Sequence, residues 1–70
     1  MTKYVVVIEQ EGDAWGAYAP DLPGCGVTGE SRRDVEQLIG QAIQLHIESL
    51  RAHGEAVPLP GTSTATVSVV

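Results

Sequence analysis

The chain has no phenylalanine, one cysteine (Cys25) and only four basic side chains among its 70 residues. Each shortage excludes a class of protein. A lone cysteine forms no internal disulfide, and no His or Cys falls at zinc-site spacing, so no staple or metal is expected to supplement the core. Nine acidic side chains against four basic ones leave a formal charge of −5. Phosphate backbones are gripped by clustered Lys and Arg, so direct nucleic-acid binding is not expected. The longest apolar run is the five residues from Tyr4 to Ile8, interrupted by Glu9. About 20 such residues are needed to cross a bilayer, and no export signal is legible at the start. With an unpaired thiol, the cytoplasm is the expected location and no membrane association is anticipated.

What is present fits one small domain over residues 1–70. A domain of this size buries about 60% of the surface its unfolded chain exposes. Self-association or a permanent partner is the remaining way to bury more. Residues 3–10 read as a strand apolar on both faces, with Tyr4, Val6 and Ile8 on one side and Val5 and Val7 on the other. After a turn at Glu11-Gly12-Asp13, residues 14–19 read as an antiparallel second strand. Residues 25–28 suit a short third strand. Ser31 is an N-cap candidate, with Asp34 placed to complete a variant capping box. Val35, Leu38, Ile39, Ala42, Ile43 and Leu50 then mark one face of a helix over residues 32–53. Gly54 stands where a left-handed C-terminal cap belongs. Residues 64–70 alternate Thr64, Thr66, Ser68 and Val70 against Ala65, Val67 and Val69, the pattern of a half-buried fourth strand. The expected order is βββαβ, with a right-handed crossover from the third strand to the fourth.

Residues 20–30, Pro-Asp-Leu-Pro-Gly-Cys-Gly-Val-Thr-Gly-Glu, place two prolines and three glycines between a strand and a helix. Such a connection has a specified backbone path. Within it, Asp21 has two readings: an Asx-type turn bonding the amides of the Pro23-Gly24 turn, or an acidic contact to a basic partner. Trp15 and Tyr18 alternate to opposite faces of the second strand, so one is expected under the helix and the other exposed as an interface anchor. Cys25 reads as a small packed residue, His46 as a core-edge histidine and His53 as an exposed helix-end residue. No metal site, cofactor or catalytic residue follows from these positions.

The segment around Asp21, Pro23, Gly24, Cys25 and Gly29 resembles the D-x-PG-C-x-x-x-G signature of the HicB family of antitoxins. The resemblance continues through Ser31-Arg32-Arg33-Asp34-Val35 and Gln41-Ala42-Ile43, and ends in Gly54-Glu55-Ala56-Val57-Pro58-Leu59-Pro60. It implies an α+β, truncated RNase H-like fold: one helix on one face of a four-stranded mixed sheet, with strand one between strands two and four. The other sheet face would be apolar and uncovered, which implies a dimer or higher oligomer. The resemblance also implies a partner, a HicA-type toxin. HicA is a small basic protein that resembles a double-stranded-RNA-binding domain and cleaves mRNA with a histidine. An acidic antitoxin would mask its basic surface. The residues expected to face the partner are Asp21, Leu22, Glu30, Trp15 and Tyr18.

An RNase H-like fold raises the question of nuclease activity. Two-metal hydrolysis needs converging carboxylates. The first strand has none before Glu9, the last strand has none, and Glu36 and Glu48 lie about three helical turns apart. A non-enzymatic binding protein is therefore expected. Many HicB proteins carry a C-terminal operator-binding segment. None is legible before Val70, and operator binding by these residues is not expected. The alternative from another class is an orphan oligomeric module without a toxin, serving as a scaffold or small-ligand binder.

Overall fold

The computed structural model describes residues 2–70. Three strands, β1 (Val7–Glu11), β2 (Ala14–Tyr18) and β3 (Gly26–Gly29), are followed by one helix, α1 (Arg32–Ala52). The sheet is antiparallel throughout, in the order β1-β2-β3. Glu11 pairs with Ala14 across the two-residue turn Gly12-Asp13, a connection whose twist matches that of its strands. Val7 faces Tyr18 across the first pair, and Tyr18 faces Gly26 across the second.

The alternation expected of the strands decides which side takes the helix. Tyr4, Val6, Ile8, Trp15 and Val27 pack against a buried cluster of Ala17, Ala19, Leu22, Cys25, Val35 and Ile39. Val5, Val7 and Tyr18 fall on the opposite, outer face. The helix approaches β3 closely: a Cβ at Gly29 would lie 3.1 Å from Val35 Cγ1 and 3.2 Å from Asp34 Cβ. Glycine at 29 is what lets the first helical turn settle onto the strand.

Both helix ends are capped by local chemistry. The Asp34 amide donates to Ser31 Oγ at 3.0 Å, satisfying one of the amides that a helix start leaves without a partner. The reciprocal bond of a full capping box is not formed among the described residues. At the other end Glu55 N–H donates to the Leu50 carbonyl (2.8 Å) and Gly54 N–H to that of Arg51 (3.1 Å). With Gly54 at φ +68°, these two bonds make a Schellman cap. The exposed Arg32–Glu36 pair at 3.0 Å adds a few tenths of a kcal/mol.

Two expectations are corrected. Residues 64–70 carry no strand pairing, and Val67, Val69 and Val70 stand exposed. The sheet of the described residues is therefore three-stranded and antiparallel, not four-stranded and mixed, and β1 is an edge where a central strand was expected. The ladder of β1 also begins at Val7 instead of residue 3. The register would set Val6, Val5 and Tyr4 opposite Ala19, Pro20 and Asp21. The next residue of β2 whose amide would turn to β1 is Pro20, opposite Val5, and it has no N–H to give.

Leu22 is completely buried, and side chains of its kind contribute about 1.5–3 kcal/mol on burial. Leu22→Ala should lower the unfolding free energy by about 2–5 kcal/mol in urea titration. A loss below 1 kcal/mol would remove Leu22 from the centre of the core. Ser31→Ala should cost about 1 kcal/mol by the same measurement.

Candidate functional site

The connection between β2 and β3 is two consecutive tight turns. Leu22 N–H donates to Ala19 O at 3.0 Å, and Cys25 N–H donates to Leu22 O at 3.0 Å. The second turn has Pro23 at its first corner and Gly24, φ +82°, at its second, the type II arrangement that requires a residue tolerant of positive φ. These turns send Leu22 and Cys25 inward and leave Pro20, Pro23 and Gly24 at the surface.

Asp21, between the two inward-facing anchors, points neither into the turn nor into open solvent. Its Oδ2 accepts the amides of Gly61 (3.2 Å) and Thr62 (3.1 Å), and its Oδ1 accepts the Thr62 hydroxyl at 2.9 Å. The Thr62 amide first, then the Thr62 hydroxyl, hold the Asp21 carboxyl below its ordinary value of 3.8; the Gly61 amide adds to this and desolvation opposes it. A second tie lies nearby: Tyr4 hydroxyl donates to the Pro58 carbonyl at 2.6 Å. Residues 58–62 are thus clasped to the start of the chain and to the β2–β3 loop.

Among the described residues no element lies over the outer face of the sheet. Val5, Val7 and Tyr18 supply its apolar part, and Tyr18 is 43% exposed. Glu9 and Glu11 follow Val7 on the same side of β1, and Gly16 and Gly26 leave the backbone bare beside Tyr18. Continued one residue past Gly29, the register sets Glu30 across from Ala14, so Glu9, Glu11 and Glu30 gather at one end of this face. At the other end Tyr18, Pro20, Pro23 and Gly26 line a shallow, open depression of about 580 Å³.

The residues expected to face a partner do not form one patch. Tyr18 lies on the outer face, and Trp15 packs half-buried on the helix side. Leu22, proposed from sequence as a contact, is withdrawn into the core. Asp21 and Glu30 sit at opposite ends of the β2–β3 hairpin, and the carboxylate of Asp21 is engaged within the chain. Gly61 and Thr62, its partners, carried no signal in the sequence beyond following Pro60. Cys25 is buried, which pushes its thiol up from the ordinary value and leaves it protonated at neutral pH. His53 Nδ1 lies 2.7 Å from Ser49 O, as donor. Among the described residues no group of three His, Cys, Asp or Glu side chains could hold a metal ion, and no helix is long and apolar enough to cross a membrane.

The sequence profile of the family described as "HicB_like antitoxin of bacterial toxin-antitoxin system" matches residues 4–68. The chain belongs to the HicB-like antitoxin family. It is 35% identical over 66 residues to UPF0150 protein Ta0767 of Thermoplasma acidophilum, covering 93% of this chain and 96% of that one. It is 41% identical over 56 residues to UPF0150 protein ssr1765 of Synechocystis, covering 79% and 71% respectively. No solved structure matches. The HicB-like match takes in both clasped ends: Tyr4 opens it, and Asp21, Pro58 and Thr62 lie inside it.

A carboxyl with its folded value lowered contributes stability that is present above 3.8 and lost as the pH falls through the folded value. The Thr62 amide should therefore exchange slowly at neutral pH and be released on acidification below 3.8. In Asp21→Ala, which removes both acceptor oxygens, its protection factor should be low at both pH values. Hydrogen exchange read by NMR tests this. A Thr62 amide equally protected in both proteins would show that the carboxylate does not hold this segment.

Proposed function

We propose that this protein is a non-enzymatic antitoxin that binds a small, basic, HicA-type toxin and covers its RNA-binding and active surface. The observation that carries the reading is the uncovered outer face of the sheet, with Val5, Val7 and Tyr18 beside the glutamates Glu9, Glu11 and Glu30. An apolar patch rimmed by charge of one sign is the usual form of a protein-binding surface. Its negative charge suits a toxin that must be basic to hold RNA. Family membership and the −5 charge point the same way.

The finer expectations belong to the same reading. The three strands and helix are the βββα part of a truncated RNase H-like unit, and the protein acts in the cytoplasm, where its toxin would cleave mRNA. It associates with itself as a dimer or higher oligomer, because its buried core amounts to six residues of modest size. Asp21 contributes by holding the loop and residues 58–62 in place, so contact with the toxin falls to Tyr18 and the three glutamates.

Where a small basic protein is encoded beside this gene, co-expression should relieve that protein's growth arrest and yield a complex by size exclusion. A harmless neighbour, and no complex, would favour the orphan oligomeric module. Reversing Glu9, Glu11 and Glu30 to Lys should slow association by about tenfold or more at low salt, with the loss shrinking as salt is added. An unchanged rate would remove the electrostatic part of the proposal.

A further inference from the structure

We propose that residues 64–70 are the missing fourth strand and that they add to the free edge of β1 in a second copy of this chain, reciprocally. This goes beyond self-association in general by naming the element exchanged and the edge that receives it. Two unfilled halves of one interaction are present in the same molecule. One is β1, which pairs with β2 alone and leaves the amides and carbonyls of its other edge without a strand; such an edge is a template for strand addition. The other is the segment after the clasp. It alternates Ala65, Val67 and Val69 against Thr64, Thr66 and Ser68 and takes part in no strand pairing. Its valines Val67 and Val69 are 76% and 88% exposed.

The clasp explains why the segment is presented outward. Asp21 fixes Gly61 and Thr62, and the chain beyond leaves the body. The radius of gyration is 13.6 Å, with a longest extent of 47 Å. A compact chain of this length would have a radius of about 11 Å.

Charge selects the occupant. Residues 63–70 contain no charged side chain, whereas residues 2–62 carry all nine acids and four bases. A basic toxin has nothing to recognise in this segment, and a second acidic copy meets no repulsion there against its own Glu9 and Glu11. The exchange is isologous, so it closes at two copies and leaves neither edge nor segment free. At about 3.3 Å per residue the seven residues span about 23 Å, enough to run the whole of β1.

The test uses the full chain. Light scattering should give twice 7.4 kDa. Hydrogen exchange should show the amides of residues 64–70 and of β1 protected together, with protection and mass both falling on dilution. Thr66→Pro/Val67→Pro should give a 7.4 kDa protein with its helical circular dichroism retained. Three results overturn the proposal. One is protection of residues 64–70 at monomer mass, which would mean that the strand folds back on its own β1. Another is a doubled mass with these residues exchanging freely. The third is a proline variant that remains a dimer.

Discussion

Everything in this fold depends on Leu22 being carried beneath the helix by a rigid turn. A loop between two short strands ordinarily lies at the surface, because its backbone groups need water. Here two successive turns satisfy their own amides, so the loop can send Leu22 and Cys25 inward without leaving polar groups unpaired. Leu22 then joins Val35 and Ile39 in one cluster. Tyr4, Ile8, Trp15 and Ile43 pack around this cluster only partly buried, so Leu22 and Val35 are its fully enclosed centre. Gly29 completes the arrangement from the other side, since its missing side chain admits Val35 to the surface of β3. The Pro23-Gly24 turn, Leu22, Cys25 and Gly29 thus bring one loop and one helix together.

The same loop governs the outside. Between buried Leu22 and the end of β2, Asp21 is held at a fixed place and spends its charge on the amides of Gly61 and Thr62. The backbone path that builds the core therefore also positions the segment that follows the helix. A small domain short of interior is in this way given an ordered surface instead: an open sheet face, a row of glutamates at one end of it, and an uncharged segment directed away from the body. Each is suited to a protein partner.

Much of this was legible in the residues, because it rests on local rules. Ser31 and Gly54 bounded the helix to within a residue, since capping is decided by side chains and φ values close by in sequence. The Pro23-Gly24 turn and the opposite faces of Trp15 and Tyr18 follow from equally short-range patterns. The strand pattern of residues 64–70 is only half informative: alternation reports that a segment can pair, and carries no information about which edge it meets. The role of Asp21 is hidden in the sequence for a related reason. Its partners are 40 and 41 positions away, and no periodicity links an aspartate in a turn to a Gly-Thr pair beyond a helix. Leu22 reads as a partner contact because a leucine between Pro-Asp and Pro-Gly counts as exposed unless the direction of the turn is known.

The long reach of the clasp also orders events in time. The hairpins and the helix close over short stretches of chain and can assemble early. The Tyr4–Pro58 bond spans 54 positions and the Asp21 bonds about 40, and contacts so distant bear the largest loop-closure entropy. They form last. Until they do, a newly made chain has a structured sheet with an open edge and a trailing segment not yet aimed at anything. The bonds of one carboxylate end the interval in which that segment has no fixed starting point.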